Sequence, residues 1–396
     1  MKDFWKETSE QKTKKINKKK IIISVIILIL IIALVTISLI YVKNKNARNW
    51  IDKNILRKEI TQNNLPTIEL EESDNSQVYA FNKYIGVLSN NNFDIYDVTG
   101  KKENSLNIEI TKPIFNFNSR HLIVAEEKGQ KLYLISDKDI AWEKSIEGNI
   151  AQVTVNKNGY VAVTIVDTSY KTVVELYNNL GELQFKTFLS TTRVVATSIS
   201  EDNKYLALAE IDTSGTIIQS NIKIFSIEEA KVKAENSNKK TYTGGNNDLI
   251  TNIKYQEKGK LICLYTDKIT VIKSDDTVET ISENNDKKIA FASIELANAS
   301  ATVEEKSSGL FTADSIVNII NTENKSKFTY TTESVTKEIY TNNNIIALNL
   351  GSEVEFINTN GWLNKKYVAE QEITNIVLAN SIAGIVYRDR IEIVNL

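Results

Sequence analysis

One membrane-spanning helix followed by an all-β, eight-bladed β-propeller is the architecture that the sequence predicts, on three observations. A charge-free apolar run occupies Ile21 to Val42. A short strand motif recurs eight times between Phe93 and Asn395. Between its copies stand Asn/Asp/Gly/Ser clusters, and no long segment of helical period interrupts them. With 42% hydrophobic and 25% charged residues among 396, the chain has enough apolar material for a packed core. Only 2 prolines and 14 glycines exclude collagen-like or Pro-rich architectures.

The charge is divided along the chain. A net charge of −2 conceals a basic segment at 1–66, which carries 14 Lys+Arg against 5 Asp+Glu, and an acidic remainder with 34 against 45. A bulk of that sign does not suit phosphate, so nucleic acid is not an expected partner.

Residues 1–20 form a basic tail and residues 21–42 (IIISVIILILIIALVTISLIYV) the transmembrane helix. At ~1.5 Å per residue this run spans roughly 33 Å, enough for the hydrocarbon core. β-branched residues dominate it, but in lipid the backbone must satisfy its own hydrogen bonds, which selects helix over strand. A cleaved signal peptide has a shorter apolar region and a small-residue cleavage site, whereas this run ends in Ser-Leu-Ile-Tyr-Val-Lys-Asn. Eight lysines precede it and six basic residues follow (Lys43, Lys45, Arg48, Lys53, Arg57, Lys58). That asymmetry favours a cytoplasmic N-terminus and an exported domain. The near absence of cysteine agrees with export.

Residues 43–66 read as a juxtamembrane stalk. Ile51, Ile55, Leu56 and Ile60 recur at helical spacing, Trp50 sits where an interfacial anchor would lie, and Pro66 ends the segment.

The propeller is expected over 67–396. Its motif, apolar-x-apolar-apolar-polar, appears as Phe93–Asp97, Leu132–Ser136, Val174–Asn178, Ile222–Ser226, Ile269–Lys273, Val317–Asn321, Val354–Asn358 and Ile391–Asn395. Measured at the fourth position, the steps are 39, 42, 48, 47, 48, 37 and 37 residues. Their mean of about 43 is the length of one four-stranded blade. Turns bearing Gly or Asn follow several copies (Gly100, Gly181, Gly361). The eighth copy ends too near Leu396 for a fourth strand, so Thr67–Glu71 is expected to complete the last blade and close the ring. The alternatives are that 67–71 continues the stalk, or that one copy is misread and the ring has seven blades.

The segments Ser200-Glu-Asp-Asn-Lys-Tyr-Leu-Ala207, Asn156-Lys-Asn-Gly-Tyr-Val-Ala162 and Thr341-Asn-Asn-Asn-Ile-Ile-Ala347 resemble the S-P-D-G-K-x-[LI]-A strings of WD40, YVTN and quinoprotein-like propellers. The overall layout also resembles an uncharacterised family of clostridial membrane-anchored propellers. These resemblances imply a fold and no chemistry.

No catalytic, cofactor-binding or metal residue is assigned. One Cys and one His exclude an intramolecular disulfide and Cys/His zinc sites. Cys263, in the apolar run Leu261–Tyr265, reads as a buried thiol, and His121 as a solvated turn residue. Asp137/Asp139, Asp275/Asp276 and Glu71/Glu72/Asp74 read as solvated turns without calcium-loop spacing. Trp142 and Trp362 are expected to pack in the strand that closes their blades. A quinone site would call for a vicinal disulfide, which one Cys forbids, and no Gly-rich phosphate loop appears. The expected protein is therefore not an enzyme and needs no cofactor. It is a single-pass, membrane-anchored, extracytoplasmic scaffold that binds another protein at the bacterial cell envelope. The alternatives are an envelope enzyme or ligand sensor with its site in the channel or on one face, and a cytoplasmic scaffold.

Overall fold

The computed structural model describes residues 18–44, 47–48, 51–52, 55–56, 58–60, 65–71, 76–234, 237–245, 248–284, 289–307 and 313–396. The chain divides into two compact units, 1–59 and 60–396.

In the first unit a helix runs from Lys18 to Lys43, and its stretch Ile23–Lys43 is long and apolar enough to cross a membrane. After it the chain does not continue as one helix to Pro66. Ala47, Arg48, Ile51 and Asp52 are helical, but Ile55–Leu56 is a turn and Ile60 is extended. The reason is a polar cluster on the helix end. Tyr41 donates to Asp52 at 2.7 Å, Lys58 reaches Asp52 at 2.9 Å, and the Arg48 guanidinium donates to the carbonyls of Tyr41 and Val42. Trp50 lies outside the described residues.

The second unit is an eight-bladed β-propeller. Eight antiparallel sheets each take four strands from 67–396. Blades 1 to 7 span 77–107, 113–145, 149–189, 192–243, 250–283, 289–331 and 338–368, and blade 8 combines 375–395 with Thr67–Glu69. Each of the eight motif strings falls on the third strand of a blade. In blade 8, Thr67, Ile68 and Glu69 pair with Glu392, Ile391 and Arg390, so the outer strand comes from the opposite end of the domain.

The motif's form follows from its position. Third-strand side chains alternate between the two neighbouring blades, as do those of the second strand. In blade 2, Leu122 and Val124 enter the cluster shared with blade 1, while Ile123 and Ala125 enter the one shared with blade 3. Such strands are apolar on both faces because both are covered. Eight buried clusters result, one in each seam around the ring. The polar fifth residue caps the turn that follows. Asn178 Oδ1 accepts from the N–H groups of Leu180 and Glu182 at 3.0 and 2.9 Å, and Asn358 Oδ1 from those of Asn360 and Trp362. The same turns need a positive φ, which Gly181 supplies at +76°.

Inner strands differ around the ring. Those of blades 3, 4, 5 and 6 carry a register shift near their start, at Ile150/Gln152, Val194/Ala196, Ile250/Asn252 and Ile289/Phe291. The inner strands of blades 1, 2, 7 and 8 pair in continuous register.

Candidate interaction surface

The ring has two faces. One holds the turns between first and second and between third and fourth strands. The other holds the hairpins between second and third strands and the connections from blade to blade. Pro66 accepts from Ile393 and Leu70 donates to Asp389. The strand Thr67–Glu69 therefore enters from the first face and runs toward the second.

On that second face most hairpins are tight. In blade 1 Asn90 and Asn91 turn the chain with φ of +47° and +67°. Blades 3 and 4 instead raise longer loops. In blade 3, 167–171 is pinned by local bonds: Thr168 Oγ1 donates to the Tyr170 carbonyl and accepts from the Tyr170 N–H, both at 3.1 Å. Asn149 donates to Asp167, and Lys171 to the Thr191 carbonyl. These bonds hold the Tyr170 ring 4.9 Å from that of Phe188, on the outer strand. Phe188 remains 53% exposed.

In blade 4 the second and third strands stay paired out to Asp212 and Gln219. Asp212 Oδ1 accepts from the N–H and hydroxyl of Ser214 at 2.9 and 2.6 Å, and those bonds hold its carboxyl below the usual aspartate value. Beyond this turn Ile217 and Ile218 are both exposed. Isolated exposed apolar residues need no explanation, but aromatic and aliphatic side chains raised on adjacent hairpins of one face mark an interaction surface.

The channel offers a contrast. Toward the first face, inner strands of blades 2 to 5 line a cavity of about 280 Å³. Its charged groups are paired: Lys254 with Glu295 at 2.7 Å and Lys157 with Glu201 at 2.6 Å. Polar side chains knit neighbouring inner strands together. Asn116 accepts from the Val155 N–H, Ser198 from the Tyr255 N–H, and Thr197 donates to Thr154.

The residues singled out in the sequence separate in space. Cys263 is fully buried in the seam between blades 4 and 5, and burial pushes its thiol up to about 12, which makes it inert. His121 is a correction. It is buried rather than solvated, because its ring packs beside Gly159 of the next blade and Nδ1 bonds Ser136 Oγ at 2.7 Å. Burial, with Arg120 beside it, lowers its pKa. Trp142 is buried in its closing strand, whereas Trp362 precedes that strand and is half exposed, as the turn capped by Asn358 ends there. Asp137 accepts from Asn82 of blade 1 at 2.9 Å, and Asp276 pairs with Lys240 at 2.9 Å, so these turn carboxylates link neighbouring blades. Glu72 and Asp74 lie outside the described residues.

Sequence reasoning missed the motif's second position. In three blades it is a buried glutamate: Glu175, Glu355 and Glu392. Each meets a tyrosine hydroxyl, from Tyr177, Tyr330 and Tyr367 respectively. Glu175 also holds Lys186 at 2.5 Å and Glu392 holds Arg390 at 2.9 Å. The ion pair at Glu355 is looser, because Lys366 lies 3.9 Å away and only 2.7 Å from Glu353. Burial raises Glu355 to about 7, partly offset by Lys366 and by the Tyr330 hydrogen bond. The available signal was an acidic residue inside an otherwise apolar string.

Among solved structures, the C-terminal WD40 domain of Sif2 matches with 11% identity and a TM-score of 0.54, over 83% of this chain and 98% of that one. Sqt1 of Chaetomium thermophilum, solved bound to the N-terminus of ribosomal protein L10, matches with 9% identity and a TM-score of 0.52, over 84% and 100%. BamB of Moraxella catarrhalis matches with 12% identity and a TM-score of 0.49, over 83% and 98%. At these identities the likeness is one of fold. No curated protein matches the sequence. Residues 57–396 match a family described as of unknown function, DUF5711, and the chain belongs to that family.

Proposed function

We propose that this is a single-pass membrane protein whose acidic propeller is an extracytoplasmic platform for another protein at the cell envelope, and not an enzyme. The observation that carries the reading is a set of apolar side chains on one face: Tyr170, Ile217 and Ile218 on two adjacent hairpins, and Phe188 on the outer strand beside Tyr170. The blades beneath them are stiffly joined, since the seams between blades 2 and 3, 3 and 4, and 4 and 5 are each filled by an apolar cluster of buried side chains. A protein partner suits them: aromatic anchors on a stiff frame lose little conformational freedom when covered. The solved propellers lend the fold only, Sqt1 bound to the N-terminus of ribosomal protein L10 included. Export rests on the eight lysines ahead of the apolar run 21–42 against six basic residues behind it.

The test is crosslinking and recovery from membranes with the full chain as bait. Proteins recovered with the parent chain should disappear with Tyr170→Ser/Phe188→Ser and with Ile217→Ser/Ile218→Ser. Protease added to intact cells should remove the propeller. Unchanged recovery by both variants would overturn the surface, and cleavage only after lysis would overturn the topology.

A further inference from the structure

The face opposite those hairpins carries a second set of exposed apolar side chains, arranged differently. In blades 1, 3 and 7 the turn between third and fourth strands is built alike. Asp97, Asn178 and Asn358 each accept, through Oδ1, from the N–H groups two and four residues on. Those donors are Thr99 and Lys101 in blade 1, Leu180 and Glu182 in blade 3, and Asn360 and Trp362 in blade 7. The turn therefore forms with polar residues at both places and demands neither Leu180 nor Trp362. Leu180 is 70% exposed and Trp362 52%. In blade 4 the helix Ile227–Lys233 replaces the turn. Ile227 and Ala230 anchor it in the cluster between blades 3 and 4, whereas Val232 is left 89% exposed. A β-branched residue weakens a helix, and at such a position the fold returns nothing for it.

These side chains do not form one patch. Blades 3 and 7 stand opposite each other in a ring of eight, so Leu180 and Trp362 lie on opposite sides of it. A protein partner covers a contiguous area, such as the Tyr170 and Phe188 rings offer on the other face. A bilayer is planar and fluid, and takes up separate apolar tips at once. The residue types suit it. Trp collects at the membrane–water boundary, and Lys231 and Lys233 flank Val232 with long stems that lie on apolar material while the charge stays wet. The chain also enters the ring through this face, where Pro66 accepts from Ile393. Residues 44–65 are all that separate that point from the helix end at Lys43. A bilayer spanned by that helix is thereby tethered to this face, and shallow insertion suffices.

We propose that this face docks on a phospholipid surface, with Leu180, Val232 and Trp362 entering the boundary between headgroups and acyl chains and Lys231 at the phosphates. Docking rests on the membrane anchoring proposed above and not on the protein-binding hairpins, which it directs away from the lipid.

Electron paramagnetic resonance of the nitroxide-labelled full chain tests it, in phosphatidylcholine nanodiscs with and without phosphatidylglycerol. Labels are placed on Asn179→Cys beside Leu180, on Asn360→Cys beside Trp362, and on Ser352→Cys at the opposite end of blade 7. All three positions are exposed, and Cys263 is buried away from the reagent. The Asn179 and Asn360 labels should lose contact with a water-soluble nickel complex and gain it with oxygen, which concentrates in lipid, while the Ser352 label stays in water. Leu180→Glu/Val232→Glu should return the Asn179 label to water with no fall in the thermal midpoint, because both side chains are exposed. Tyr170→Ser/Phe188→Ser should leave the pattern unchanged, so loss of the protein-binding reading leaves this one standing. Equal water exposure of all three labels overturns the proposal, as does an Asn179 label still shielded in Leu180→Glu/Val232→Glu. Labels shielded in native membranes but open on both nanodiscs assign the face to a protein and overturn it likewise.

Discussion

Blades 2 and 3 meet very differently from blades 5 and 6. The first seam buries fourteen side chains in one apolar cluster, including Trp142, whose ring lies 6.0 Å from that of Tyr177 across the seam. Gly181 is part of this fit, since a Cβ there would stand 2.9 Å from Trp142 Cγ. Among the described residues the apolar cluster of the second seam has six buried side chains. Toward the rim it opens into a cleft of about 490 Å³ between the outer strand of blade 5 and the sheet of blade 6, with Ile281, Ile319 and Phe328 among its lining.

What joins the second seam is polar. Gln256, itself buried, donates to the carbonyls of Leu296 and Ala299 at 2.7 and 3.1 Å and accepts from Thr322 at 2.7 Å. Lys258 pairs with Glu323 at 2.8 Å, and Lys325 bonds Glu279. One ring thus contains a seam closed by shape and a seam closed by hydrogen bonds. The first resists water and the second exchanges with it, so opening should begin between blades 5 and 6.

The difference can be broken from either side. Trp142→Ala should have the largest effect, a loss of about 3–5 kcal/mol in denaturant unfolding, because it empties the centre of the tight seam. Trp142→Phe should cost much less, since the buried indole N–H has no protein partner among the described residues. Gly181→Ala should lose about 1–3 kcal/mol through overpacking and strain at its positive φ. Gln256→Ala should cost about 1–3 kcal/mol by stranding two carbonyls and a hydroxyl. Its distinguishing mark is local: hydrogen exchange should rise in 250–256 and 299–307 while 149–155 stays protected. Equal loss of protection in both seams would erase the contrast.

The last expected effect is that of pH on the seam between blades 6 and 7. Burial holds Glu355 at about 7, above the ordinary 4.5, so the stability given by its neutral form is complete below about pH 4.5 and is lost as pH rises through about 7. Glu355→Gln should flatten that part of the stability profile, measured as thermal midpoint against pH. A profile identical to the parent's would show that Glu355 does not titrate there.

The repeat was legible because every blade places the same strand between two covered faces, and this demand is written locally. Ile95, Leu134 and Leu176 occupy the motif's third position, and all three are fully buried. Features set by the neighbouring blade were not legible. His121 looked like a turn residue because nothing in its own segment reveals Gly159 beside it. The stalk looked helical because the spacing of Ile51, Ile55 and Leu56 carries no sign that Asp52 would bond Tyr41. The exposed surface was invisible for the same reason. Tyr170 and Phe188 are eighteen residues apart in sequence and meet only through the pairing of their strands.

Thr67 and Glu392 are partners across about 325 residues of chain. At a synthesis rate of ~5–20 residues per second, the earliest strand of the domain waits on the order of tens of seconds for its mate. During that interval Ile68, and the face of blade 1 destined for blade 8, have nothing to cover them. Contacts of such long range are slow to form and vulnerable before they do. Maturation of this domain is therefore a late, cooperative event, and whatever shields a nascent chain must shield this one until its final strand arrives.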